Sequence, residues 1–476
     1  MTRTRIVCTI GPRSLDEEML RQLRQAGMSV ARLNGSHANL DWHRRAIAEI
    51  RRILPDVPIL LDIPGRKIRT VQLAHEPEFA AGDTIILTTD QAHDGHRKVP
   101  VNYLDLHLDL KAGNTVLADD GTLRFTVTLV EGSDIHCRAE TAGQLRSRKG
   151  INVPFVRLNT PQVTPRDEQM IAFAKETAVD FIGLSFVESA AHVEAFRGLI
   201  GASTPRIIAK VENQGGLDNV AEIAAAADAI MIDRGDLSVE TSLHDVALRQ
   251  KQVIEAASRH GRPVIVATEM LHTMILNPFP TKAEVSDITN AVIDGCAATM
   301  LSGETAVGQF PLETVSLMRS VVDAAEDFVQ RQRDARQGAV AESVPDAISS
   351  AIPHLCRTLP ITRIVAVTRS GFAARMIASH RPRQPILAVS DDAAAARSFN
   401  LIAGTTGIHS ETPFPKASID HIGQVLQRLW QDGYLADRDV VLVTGVTYPH
   451  KGSRMNTIQI HNVADLVAGL RWTRDT

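Results

Sequence analysis

The sequence predicts an α/β fold: a (β/α)8 TIM barrel with an inserted all-β lid and a C-terminal open-sheet α/β domain. Three observations lead there. Strand-like and helix-like runs alternate through the first 63 residues and resume near residue 180, giving eight units in all. The stretch between them reads as strands with no good helix. A strongly polar run, QRQRDARQGAVAESVPD, then sets off a last alternating block.

RIVCTI is the first strand. Ser14-Leu15-Asp16-Glu17 has the Ser-x-x-Glu spacing of a capping box, opening an amphipathic helix that stops at Gly27. SVARL, LDWHRRAIAEIRRIL and VPILLDI follow as strand, helix and strand. The order βαβαβ calls for parallel strands with helical crossovers. From about Arg66 to Lys149 the runs DTIILTTD, NTVLADD and LRFTVTLVEGSDIHCRAE are strands broken by Gly and Asp turns. DFIGLSF, RIIAKVE, DAIMID, PVIVATE and AATMLSG are five more barrel strands, each followed by a helical stretch. The predicted barrel therefore spans 1–65 and 150–335, interrupted between its third strand and third helix by a lid at 66–149. A terminal domain at 345–476 contains RIVAVT, PILAVS, VVLVTG and TIQIHN.

At 476 residues the chain exceeds one compact core. A net charge of −4 points to neither a nucleic-acid nor a membrane partner, so any basic patch is local and serves a small anion. The cysteines, Cys8, Cys137, Cys296 and Cys356, form no CxxC pair and no zinc pattern. Scattered reduced thiols, no bilayer-length apolar run and a start that runs straight into a strand lead us to expect a cytoplasmic protein.

In such barrels chemistry sits at the C-terminal strand ends. Those ends carry Thr9, Arg32 with Asn34, Ser36 and His37, then Asp62, Ser185, Lys210 with Glu212, Asp233-Arg234-Gly235-Asp236, Thr268-Glu269, and Ser302 with Glu304. Lys210 and Glu212 lie two apart on one strand and share a face. Lys and Glu enter interiors only when paired or metal-bound. One reading is a salt bridge closing the barrel mouth. The other has Glu212 and Asp236 binding a hard divalent cation through oxygen, with Lys210 stabilising charge on a transferred group.

The stretches TIGP, ARLNxSH, DxxGxxIRT, KGIN, SF, KVEN, RGDL, ATEM, PTxAE and LSGETAxGxxP closely resemble the pyruvate kinase family, in order and over nearly the whole chain. The insertion takes the place of that family's mobile B domain. The resemblance implies phosphoryl transfer from phosphoenolpyruvate to ADP, the last step of glycolysis, with Mg2+ or Mn2+ on Glu212 and Asp236. It implies that Lys210 holds the phosphoryl group and Arg32 clamps its oxygens. Gly235, Asp236 and Thr268 would hold the substrate carboxylate, and Thr268 with Ser302 would lie near the enolate carbon that gains a proton. Asn34, His37, Arg69 and Lys149 would meet the nucleotide, since no P-loop occurs. Asp119-Asp120-Gly121 reads as a hairpin turn, while the family places an Asp here that faces the closed site. Thr368, Ser370 and Gly371, between a strand and a helix, match a stretch that often binds a sugar-phosphate effector. A homotetramer is implied as well.

The segment LLDIPGRKIRT departs from the family's LDTKGPEIRT. In that pattern the Asp, with the Asn and Ser of ARLNxSH, holds K+; here these are Asp62, Asn34 and Ser36. Lys67 replaces the family's Glu. Two like charges ~4 Å apart cost about 4 kcal/mol at an effective dielectric of roughly 20, enough to decide occupancy. The expectation is that Lys67, next to Asp62, supplies the charge that K+ supplies elsewhere, so that K+ is not required. Asp233 stands where Ala is usual, Glu188 where Arg is, Glu269 where Gln is, and Arg13 where a small residue is. Rival readings are a paralogue with an altered acceptor, a Mg2+-dependent pyruvate aldolase or lyase, and a non-catalytic sugar-phosphate sensor. The retained Arg69 and Lys149 with the lid count against the aldolase, and intact Lys210, Glu212, Asp236 and Thr268 against the sensor.

Overall fold

The computed structural model describes residues 3–65, 67–119, 121–156, 158–159, 161–201, 204–334, 343–414, 420–446 and 455–473. Eight parallel strands close into a barrel in chain order. They are β1 (Arg5–Thr9), β2 (Met28–Asn34), β3 (Ile59–Ile63), β4 (Phe181–Leu184), β5 (Arg206–Val211), β6 (Ala229–Asp233), β7 (Val264–Ala267) and β8 (Ala298–Leu301). Helices cover their outer faces, so both faces are buried and the strands read as continuous apolar runs.

The period of two then places the chemistry. Val30, Leu60, Ile208 and Met231 pack together inside the barrel. Two residues further along each strand, on the same inward face, stand Arg32, Asp62, Lys210 and Asp233. The interior thus changes from apolar to charged within one step along four different strands.

The first helix, Glu17–Ala26, is capped by Asp16, whose carboxylate accepts from Met19 N at 3.0 Å. The Ser14 capping box is therefore corrected: that hydroxyl is buried and accepts from Gly11 N at 3.0 Å. Asp16 directly precedes the helix and offers the same kind of acceptor, which leaves Ser14 to the preceding turn.

Between β3 and the helix Pro165–Glu176 the chain builds a six-stranded sheet and a two-stranded one, with elements running from Glu78–Phe79 to Ile151–Asn152. Leu87, Val116, Phe125, Val127 and Ile135 form a separate core there. A one-turn helix, Leu106–Asp109, interrupts these strands; four residues are too short to show a helical period.

Part of the polar run is helix. Pro311–Asp334 continues through QRQRD, where Gln330 accepts from Arg3 Nη1 at 2.8 Å, and Val344–Thr358 begins at the far end. Residues 335–342 lie outside the described ones. The last sheet has the order β11-β10-β9-β12-β13, with β9 (Arg363–Val367), β10 (Ile386–Ser390), β11 (Thr405–His409), β12 (Val440–Gly445) and an antiparallel β13 (Thr457–Asn462). Strand β11 was not anticipated, because TTGIH is a partly exposed edge with a glycine at its centre. That glycine is required: a Cβ on Gly407 would lie 1.8 Å from Ala396 O.

This last domain holds the N-terminal side of the barrel. Arg381 donates to Val292 O and Cys296 O at 3.1 and 2.9 Å, and Arg397 pairs with Asp180 at 2.9 Å. The opposite strand ends are left to the lid. No described helix is long and apolar enough to cross a membrane.

Candidate active site

Lys210 is the centre of the barrel mouth and is 5% exposed. Its ammonium lies 2.7 Å from Glu212 Oε1, 3.2 Å from Asp233 Oδ2 and 3.6 Å from Asp62 Oδ2, and it donates to Ser185 Oγ at 3.2 Å. Burial opposes the charged ammonium, but Glu212, Asp233 and Asp62 together hold its pKa well above the usual lysine value.

Arg32 donates to Asp62 Oδ2 from Nε at 3.0 Å and Nη2 at 2.6 Å, and to Thr9 Oγ1 from Nη1 at 2.9 Å. Buried Glu212 accepts from Phe186 N at 2.6 Å. Burial raises its pKa above the usual glutamate value, with Asp233 and Asp236 adding to the shift and Lys210 opposing it. Ligand oxygens of Glu212, Asp233 and Asp236 all lie within 4.8 Å of one another. A set of hard carboxylate oxygens this close fits a divalent cation such as Mg2+ or Mn2+.

The helix Arg234–Glu240 begins at the first residue of RGDL rather than after it, so Gly235 and Asp236 occupy its first turn. Gly235 N donates to Thr268 Oγ1 at 2.8 Å, and that hydroxyl donates to Ala267 O at 2.6 Å. Thr268 has φ 68° and Glu269 φ 55°, a left-handed pair that a β-branched residue adopts at a cost of about 1–3 kcal/mol. Arg234 holds the bend by donating to Thr268 O at 2.7 Å while pairing with Asp287. The Ser302 hydroxyl is buried and has no hydrogen-bond partner among the described residues.

Lys67 is placed differently from expectation. Its ammonium lies 2.5 Å from Asp236 Oδ1, whereas the Asp62 carboxylate is taken by Arg32 and Lys210. Asp62 thus answers to barrel cations, and Lys67 from the turn that follows it answers to an acid beyond β6. Arg66 lies outside the described residues. Asn34 Oδ1 accepts from Ser36 N at 3.1 Å, with Ser36 and His37 exposed above β2. On the lid, Lys149 pairs with Asp119 at 2.6 Å and Arg69 donates to Arg148 O at 3.3 Å. Asp120 lies outside the described residues. In the last domain Gly371, at φ 76°, donates its N–H to Thr368 Oγ1 at 3.1 Å, and Ser370 O accepts from Arg375.

The family models for the pyruvate kinase barrel domain and the pyruvate kinase alpha/beta domain match residues 1–315 and 346–461. The chain belongs to the pyruvate kinase family. Pyruvate kinases of Bacillus licheniformis and Geobacillus stearothermophilus are each 38% identical over 98% of this chain, covering 82% and 81% of their own lengths. A solved pyruvate kinase of Cryptosporidium parvum superposes with TM-score 0.86 at 30% identity, over 97% of this chain and 96% of that one. Like other pyruvate kinases, this chain is a phosphotransferase.

Of the family's departures, Asp233 joins the buried cluster, and Glu188 accepts from Asn213 at 2.8 Å. Glu269 and Arg13 are exposed. Two partners were read only as polar strand ends: Thr9, which braces Arg32, and Ser185, which braces Lys210. A third contact was missed. Asn152, from the return strand of the insertion, donates to Glu240 Oε1 at 2.6 Å, one helical turn beyond Asp236. The i, i+4 spacing of Asp236 and Glu240 was its only signal.

Proposed function

We propose that the chain transfers the phosphoryl group of phosphoenolpyruvate to ADP, giving pyruvate and ATP. One observation carries this: the Lys210 ammonium, fixed by carboxylates and a hydroxyl where a barrel's chemistry occurs. Glu212 and Asp236 would hold the divalent cation, which supplies charge neutralisation to substrate oxygens. Phosphoryl transfer depends mainly on positioning and on neutralising charge, and the remaining groups serve those two tasks.

Lys210 lies against the group in transfer, and Arg32, already oriented by Asp62 and Thr9, clamps its oxygens. The Asp236 N–H in the first helical turn favours the substrate carboxylate, together with Gly235 and the Thr268 hydroxyl. Thr268 and the Ser302 hydroxyl, which has no partner among the described residues, would hold a water that protonates the enolate carbon. Asn34, His37, Arg69 and Lys149 line the nucleotide side, the last two on the closing lid.

K+ is dispensable in this reading, because Lys67 brings a permanent positive charge to the same acidic cluster. Asn34, Ser36 and Asp62 then serve the site without a monovalent ion. The turn at Thr368, Ser370 and Gly371 is the place for a sugar-phosphate effector, and the assembly is a homotetramer, which light scattering tests. Pyruvate formation from phosphoenolpyruvate tests the whole reading. Strict dependence on both ADP and Mg2+ supports it; turnover of an aldol substrate without ADP, or sugar-phosphate binding with no turnover, contradicts it.

A further inference from the structure

We infer that Asp233 is a third carboxylate ligand of the divalent cation, beside Glu212 and Asp236, and sets how tightly the free protein holds that ion. The inference rests on the metal seat proposed above and goes beyond its two residues.

The strand register brings Asp233 there. It stands two residues beyond Met231 on the inward face of β6; Met231 pairs with Lys210 on β5 and Ile232 with Val211, so Asp233 lies level with Glu212, and it is 6% exposed. Its two oxygens point to different neighbours. Oδ2 lies 3.2 Å from the Lys210 ammonium. Oδ1 faces Gly235, the residue before Asp236, where an added Cβ would be 3.6 Å away. One carboxylate can therefore pair with Lys210 and still offer oxygen to the ion, and its ligand oxygen falls within 4.8 Å of those of Glu212 and Asp236.

The local charge agrees. Arg32, Lys67 and Lys210 bring three cations to the mouth, against four carboxylates from Asp62, Glu212, Asp233 and Asp236. Without Asp233 the two sets would balance. With all four ionised, as ligation of a cation requires, Asp233 leaves the mouth one negative charge in excess, which favours a divalent ion there.

Mn2+ titration of the full-length protein without substrates, read by the spin-resonance signal of free Mn2+, tests this. Asp233→Ala is expected to weaken Mn2+ binding roughly tenfold or more, and Asp233→Asn, which keeps the shape and a neutral oxygen, by less. Circular dichroism and the melting temperature without metal identify variants that remain folded. Wild-type Mn2+ affinity in both folded variants would overturn the inference, leaving Asp233 as a partner of Lys210 alone. Unchanged binding in Glu212→Gln would overturn the seat itself, and so is distinguishable from failure at position 233.

Discussion

The barrel mouth and the lid side of the cleft solve the same electrostatic task in different ways. In the mouth, Arg32 and Asp62 form a pair whose side chains are 6% and 3% exposed, and Lys210 is enclosed by acids. On the lid side, the Lys149–Asp119 pair is 35% and 27% exposed, and the Arg69 side chain donates to a carbonyl at 3.3 Å. The closed barrel fixes its charges in one geometry before substrate arrives, so they can stabilise a transition state without rearranging. The lid charges keep solvent as a partner, so exchanging one partner for another costs them little. In the proposed function, chemistry belongs to the first region and nucleotide capture to the second.

Mutations should separate the two regions. The largest effect is expected for Lys210→Met: turnover should fall about a thousandfold with phosphoenolpyruvate binding little changed, measured by pyruvate release and by direct titration. Next comes Arg32→Met, which strands Asp62 in the interior with Lys210 alone at 3.6 Å. Chemical denaturation should show a loss of about 3 kcal/mol besides the loss of activity. Lys149→Met, on the lid, should raise the KM for ADP about tenfold while shifting stability by less than about 1 kcal/mol. A large loss of stability there would erase the contrast drawn above.

Glu240 sharpens the boundary between the regions, because Asn152 of the insertion bonds to it. Burial raises its pKa from 4.5 to about 7, Asn152 opposing and Asp236 adding. The folded chain thus binds this proton more tightly than the unfolded chain. The associated stability is complete below the unfolded value and is lost as pH rises through about 7. Melting temperature followed from about pH 5 to about 8 should fall in wild type relative to Glu240→Gln. The smallest expected effect is none: replacing K+ by tetramethylammonium at constant ionic strength should leave turnover unchanged. A many-fold rise with K+ would show that Lys67 does not replace the ion.

The architecture was legible because buried parallel strands leave continuous apolar runs, and eight could be counted around one interruption. The strand ends gave Lys210, Glu212 and Asp236 through residue type and spacing alone. Other features depend on three-dimensional partners that spacing does not encode. Asp62 is bound by a residue thirty positions away, and Lys67 by one far along the chain. Edge strand β11, half exposed and glycine-centred, had no apolar signature. Asp16 caps the helix in place of the expected Ser14, which only the folded turn reveals.

The central claim is that carboxylates at positions 212 and 236 share a divalent ion beside the Lys210 ammonium. A crystal soaked with Mn2+ and oxalate, a mimic of the enolate, measures this directly through the anomalous signal of the metal. The account predicts a peak bridging Glu212 and Asp236, with oxalate next to Thr268. A peak anywhere else in the cleft, with those two side chains still free of metal, would contradict it.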